Sequence, residues 1–125
     1  MDSHFILSIF HVLIVVPLFL FIGFYRASTP QWLYNAIFVI GTIVLVYHGF
    51  KFTVRYLSES GYVWVNAIHI LLVAPLLLYI GYHKRDTPRF AYELLLMLGF
   101  GAGGYHLFSA IKLLDMHHEP LTNED

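Results

Sequence analysis

Four histidines at matched positions are the residues of this chain best suited to chemistry. They are His11, His48, His69 and His106, and the last two follow the first two at one constant offset, since 69 − 11 = 58 and 106 − 48 = 58. Neutral imidazoles are ligands for zinc, copper, nickel and iron, and two of them can hold a haem, here either His11 with His69 or His48 with His106. The four positions predict a site for a transition metal, Zn or Cu, or for haem b, which would serve electron transfer.

The histidines belong to a duplicated unit. The stretch HVLIVVPLFLFIG, from His11 to Gly23, returns as HILLVAPLLLYIG, from His69 to Gly81, and positions 11–50 are identical to their partners at 15 of 40 places. Two copies of a long unit indicate a pseudo-two-fold duplication. We expect one domain over 1–125, with the first copy over about 5–57, the second over about 62–114 and a polar tail over 115–125.

The composition favours a membrane protein. Hydrophobic residues make up 58% of the chain, charged residues only 12%, and the mean hydropathy is +0.69. Four apolar stretches, at about 5–25, 30–57, 62–83 and 88–114, are each long enough to cross a hydrocarbon layer of about 30 Å. The sequence predicts an all-α integral membrane protein: a bundle of four transmembrane helices made of two parallel repeats of two helices each.

The connections between these helices predict packing and topology. Short turns make sequential helices antiparallel neighbours, with Thr29 capping the second helix at Pro30. Pro17, inside the first helix, removes a backbone hydrogen bond and should bend it. Basic residues outnumber acidic ones in the 26–30 and 84–89 turns, so the positive-inside rule places these turns in the cytoplasm and both termini on the non-cytoplasmic side.

Helix geometry puts the four histidines at one depth. His11 lies 28 − 11 = 17 residues before Ser28 in the first turn, and His48 lies 48 − 28 = 20 residues after it. At a rise of 1.5 Å per residue these heights agree within roughly 5 Å, and the duplication repeats the relation in the second copy. We expect the imidazoles to converge, oriented by polar neighbours that share their face or adjoin them: Ser8, Asn66, Tyr47 and Tyr105.

Two other classes of function remain open. The first is a proton or cation channel gated by histidines, or a small transporter: a ring of histidines can pass protons because imidazole titrates near pH 6.5, and Asn35, Thr42 and Glu93 would have to continue the path. The histidines can also form a structural polar layer in a subunit of a larger membrane complex or of a homo-oligomer, with Gly99 and Gly103 in the spacing of a helix–helix contact. Glu93 is expected to pair with Arg89.

The composition also argues against several classes. The chain has no cysteine, which excludes thiolate ligands and disulfides, and with only 7 basic residues a nucleic-acid partner is not expected. The sequence contains no nucleophile paired with a base, no phosphate loop and no paired carboxylates, so independent hydrolase or transferase activity is not expected. The partner that the sequence predicts first is the lipid bilayer.

Overall fold

The protein is built from four long helices. The computed structural model describes residues 3–58 and 63–118, and no strand occurs in those two ranges. Helix α1 joins Ser3–Phe10, His11–Val15 and Val16–Tyr25, and α2 is Gln31–Leu57. Helix α3 joins Val63–Ile68, His69–Val73 and Ala74–His83, and α4 is Arg89–His118. All four are long and apolar enough to cross a membrane.

The C-terminal boundary differs from the prediction. Helix α4 continues four residues past Leu114, to His118, so the first part of the expected tail is helical. The rest of that tail, 119–125, and the junction at 59–62 lie outside the described residues.

Each proline inside a helix follows one wide turn. His11–Val15 and His69–Val73 are π-helical, with the Val16 amide bonded to the His11 carbonyl and the Ala74 amide bonded to the His69 carbonyl. A proline has no N–H to donate and its ring crowds the carbonyl four residues earlier, so a wider turn relieves the clash. The bend predicted at Pro17 therefore takes the form of a π-helical turn, and in both copies that turn begins at a histidine.

The two short connections also share one conformation. Each is a 3-10 turn, Arg26–Ser28 or Lys84–Asp86, that opens with a positive φ, 50° at Arg26 and 53° at Lys84. The predicted cap by Thr29 does not form, because the backbone stays extended through Pro30 and the helix starts one residue later, at Gln31. The Thr29 hydroxyl is buried with no hydrogen-bond partner.

The helices pack as two pairs, α1 with α4 and α2 with α3. Each pair joins one helix from each copy, whereas α1 and α2, which the short turn predicts to be neighbours, meet far less. The pairs contact each other through the 74–83 segment with α4 and through the two short turns. We call the end of the molecule that carries these turns the turn end, and the opposite end the terminal end.

The apolar core lies toward the turn end. Its fully buried members come from all four helices and include Ile22, Ile37, Leu77, Ile80 and Leu95. On the terminal side the fully buried side chains are few and include the polar Ser8 and Asn66. The core thus holds the two helix pairs together below the level of the histidines.

Candidate functional site

The four histidines form two stacked pairs, which we call the histidine layer. His11 stacks on His106 with ring centroids 4.2 Å apart and planes 21° from parallel. His48 stacks on His69 at 4.1 Å and 15°. Each stack lies within one helix pair, the first in α1–α4 and the second in α2–α3. The structure therefore brings the four predicted histidines together as two stacks rather than as one ring.

Hydrogen bonds fix the tautomer of one imidazole in each stack. His11 Nδ1 lies 2.8 Å from the Leu7 carbonyl oxygen, and His48 Nδ1 lies 2.9 Å from Asn66 Oδ1. Both oxygens only accept hydrogen bonds, so in the neutral ring Nδ1 carries the proton and donates it. The other nitrogen, Nε2, then keeps its lone pair, which is the form of imidazole that ligates a metal.

The layer also holds two buried polar atoms without a partner. Asn66 is 1% exposed, and within ranges 3–58 and 63–118 neither its Nδ2 nor His106 Nδ1 has a hydrogen-bond partner. Ser8 occupies the position equivalent to Asn66, since 66 − 58 = 8, and it is buried as well. A serine is too short to repeat the Asn66 contact, so His106 lacks the bond that its counterpart His48 makes. Each unpartnered buried atom is costly, and a bound polar group or water would satisfy it.

Tyr47 and Tyr105 lie outside the layer. Each ring meets the following histidine edge-on, at 5.1 Å between centroids, yet the residues are 54% and 56% exposed. Neighbouring residues in a helix point about 100° apart, so a tyrosine directly before an inward histidine faces outward. In the part of the chain that the structure describes, neither hydroxyl is hydrogen-bonded to a histidine.

The residues predicted as a polar path lie on the outer surface. Asn35 and Thr42 are exposed, and the Thr42 hydroxyl donates to the Phe38 carbonyl in its own helix at 3.0 Å. Glu93 is bonded to Arg89 at 2.6 Å, which confirms the predicted ion pair. Between the histidine layer and the turn end, the space within the bundle is filled by the apolar core.

The described histidines do not form a group that could surround a metal ion. Among the described residues, no group of three or more His, Cys, Asp or Glu side chains is placed to hold a metal ion. Zinc and copper ions in proteins generally require three or four such ligands, whereas a haem iron needs only one or two axial ligands. His83, at the turn end, lies outside the layer, with its ring 4.4 Å from that of Tyr79 and tilted by 49°.

A tyrosine pair that the sequence reasoning missed connects the copies at the turn end. Tyr34 and Tyr92 are buried, and their hydroxyl oxygens lie 2.7 Å apart. Tyr34 donates to the Arg26 carbonyl at 2.6 Å, and the Tyr92 proton is shared between the Tyr34 hydroxyl oxygen and the Lys84 carbonyl, which lies 3.1 Å away. In the sequence, the pair is indicated by the same residue type at the repeat offset, since 92 − 34 = 58. The pair bridges both short connections, and both hydroxyl protons are engaged in hydrogen bonds.

Comparison of the chain with protein-family models, with curated proteins and with solved structures found no match.

Proposed function

We propose that this chain is a multi-pass membrane protein that binds haem b in the histidine layer and transfers electrons. The observation that carries the proposal is the fixed tautomer of His11, whose Nδ1 donates to the Leu7 carbonyl and whose Nε2 is left as a ligand. Orientation of a ligating imidazole by a carbonyl oxygen on its other nitrogen is the usual arrangement in metal sites. Haem would supply one-electron chemistry there, while the chain supplies ligands, burial and orientation.

The two ligands would come from different helix pairs. Stacked rings lie side by side, so members of one stack cannot face a haem from opposite sides. Parallel repeats related by a pseudo-two-fold axis make His11 equivalent to His69, and both residues open a π-helical turn. Matched backbone geometry favours these two as the residues that would hold the haem. His48 and His106 then stack on the ligands and hold their planes.

Space for a flat ligand is expected on the terminal side of the core. The contacts between the two helix pairs involve the 74–83 segment and the short turns, and thus lie mainly toward the turn end. The unpartnered Asn66 Nδ2 and His106 Nδ1 give the layer unused hydrogen-bonding capacity. A haem entering between the pairs would reach both π-helical turns before it reached the apolar core.

Membrane insertion is supported by the surface of the helices. Large apolar side chains are exposed along all four of them, including Leu13, Val46, Leu71 and Phe108, each at least 60% exposed. A water-soluble protein rarely exposes so much contiguous apolar surface. Arg26, Lys84, Arg85 and Arg89 against Asp86 favour cytoplasmic turns and non-cytoplasmic termini. A reporter fused at Asp125 tests this topology independently of the haem.

The decisive experiment is an absorption spectrum of protein purified from a haem-supplemented membrane and again after titration with haem. We expect a low-spin spectrum with two imidazole ligands, lost in His11→Ala and in His69→Ala. His83→Ala, which removes a histidine at the turn end, is the matched control and should keep the spectrum.

Elemental analysis of the same samples separates the alternatives. Stoichiometric zinc or copper without a Soret band would show that the site binds a metal ion instead of haem. Absence of both would overturn the proposal and leave the structural and conducting interpretations. The second of these is opposed by the apolar core that fills the bundle toward the turn end.

A further inference from the structure

A groove opens on the outer surface of the α2–α3 pair near the turn end. It has a volume of about 440 Å³ and is lined by Asn35, Phe38, Val39, Gly81, Tyr82 and Lys84. Its floor is Gly81, where a Cβ would come within 2.7 Å of Phe38 Cβ, so the backbones of α2 and α3 approach closely. A single water occupies about 30 Å³ of liquid, so the groove has room for a ligand much larger than water.

The lining changes in character along the groove. The polar residues Lys84 and Asn35 lie near the turn end: Lys84 opens the short connection after α3, and Asn35 is the fifth residue of α2. Phe38, Val39 and Gly81 provide an apolar stretch deeper along the helices. In a membrane-spanning chain this order places a cation and an amide at headgroup level and an apolar channel beside the acyl chains.

Lys84 is free to take an anion. The one ion pair found among the described residues joins Arg89 to Glu93, so Lys84 has no acidic partner in that part of the chain. Its backbone has φ 53° and ψ −123°, a conformation that is strained for a residue with a side chain. Such strain is retained where the surrounding structure fixes a residue in place, which here positions a lysine at the mouth of the groove.

The equivalent surface of the α1–α4 pair differs in the residues that matter. Subtracting or adding 58 pairs Lys84 with Arg26, Gly81 with Gly23, and Asn35 with Glu93. A Cβ on Gly23 would meet the side chain of Leu96, the equivalent of Phe38, at 2.5 Å, so the close approach at the glycine is common to both surfaces. The surface thus keeps the cation and its positive φ, but it carries a carboxylate where the groove has an amide.

We propose that the groove binds one anionic phospholipid, with Lys84 and Asn35 contacting the phosphate and Phe38 and Val39 contacting the acyl chains. The assignment depends on insertion of the chain in a membrane and not on haem. Charge complementarity selects the occupant, because Lys84 attracts an anion, Asn35 donates hydrogen bonds to it, and no acid lines the groove. The equivalent surface lacks the amide donor, because Glu93, paired with Arg89, occupies the position of Asn35.

The test is a titration of the detergent-purified full chain with phosphatidylglycerol, followed by native mass spectrometry, with phosphatidylcholine as the neutral lipid. We expect one tightly held phosphatidylglycerol, with Lys84→Gln weakening its binding about fivefold, since one cation near a lipid surface contributes about 1 kcal/mol. Arg26→Gln is the matched control because it removes the same charge at an equivalent positive φ, and it should change binding less than about twofold.

A second variant keeps the test sharp if Lys84→Gln folds poorly. Asn35→Glu gives the groove the carboxylate found on the equivalent surface and should abolish the selective binding of phosphatidylglycerol. Equal losses of phosphatidylglycerol affinity in Lys84→Gln and Arg26→Gln would show that binding follows the total positive charge and not the groove, and would overturn the proposal. It also fails if phosphatidylcholine binds equally well, if inorganic phosphate alone saturates the site, or if Asn35→Glu binds like the wild type.

Discussion

The two ends of the bundle bury different kinds of group. At the turn end, apolar side chains from four helices fill the interior, and the hydroxyls of Tyr34 and Tyr92 are hydrogen-bonded. Among the described residues, the histidine layer holds two buried polar atoms without a hydrogen-bond partner, on Asn66 and His106, and the turn end holds one, the Thr29 hydroxyl. Unsatisfied buried polar groups are costly, and in the layer they lie beside four imidazoles rather than inside an apolar core. This difference places the stabilising core at the turn end and supports the proposal of a ligand site in the layer.

The largest expected effect comes from the core at the turn end. Leu77 is 0% exposed, and Leu77→Ala should lower the free energy of unfolding by about 2–5 kcal/mol, because it removes buried methyl groups and leaves a cavity. Leu13→Ala, at a residue that is 64% exposed, should change it by less than about 0.5 kcal/mol. Denaturation followed by circular dichroism measures both. Equal losses would show that the core is not where stability resides.

Haem binding should stabilise the terminal end of the bundle. With few buried apolar contacts, the terminal side is expected to open locally, and a ligand at 100 times its Kd stabilises the closed form by about 2.7 kcal/mol. Hydrogen exchange of amides near the two π-helical turns should then slow about 100-fold on haem addition, while amides near Ile80 change little. His11→Ala should remove the protection. Uniform slowing along the chain would contradict the division between the two ends.

The sequence predicts the helices and the level of the histidines but not how the helices pair. Apolar length and the turn residues place the helix bounds within a few residues, and the repeat offset puts four imidazoles at one height. The pairing of α1 with α4 and α2 with α3 depends on side-chain fit, such as Gly81 against Phe38, which hydropathy does not report. The π-helical turns depend on how a helix accommodates proline, which hydropathy does not report either. The prediction that Tyr47 orients the histidines differs from its exposed position, because residues adjacent in a helix do not share a face.

The close contact between Gly81 and Phe38 predicts smaller changes in stability, in opposite directions for two glycine substitutions. A Cβ on Gly81 would lie 2.9 Å from the Phe38 Cα, so Gly81→Ala must push α2 and α3 apart and should cost about 1–3 kcal/mol. Gly104 has nothing within 4 Å of its Cβ position, and Gly104→Ala should stabilise the helix by up to about 1 kcal/mol. Unfolding titrations of both variants check the sign. Two stabilising substitutions would mean that the helices are not in contact at Gly81.

The smallest predicted effect identifies the ligands within the layer. Asn66→Ser puts in the second copy the residue found at the equivalent position 8, and should leave His48 Nδ1 without its acceptor. The expected cost is about 0.5–1.5 kcal/mol of stability, the usual value of one hydrogen bond.

Haem affinity then separates the two possible ligand pairs. If His11 and His69 hold the iron, Asn66→Ser should reduce affinity by less than about tenfold, because His48 only stacks on a ligand. If His48 and His106 are the ligands, loss of an orienting partner should cost about 10- to 100-fold. Asn35→Ser makes the same substitution at an exposed asparagine outside the layer and should leave the affinity unchanged. A haem titration of these two variants and the wild type therefore decides which pair of equivalent histidines faces the metal.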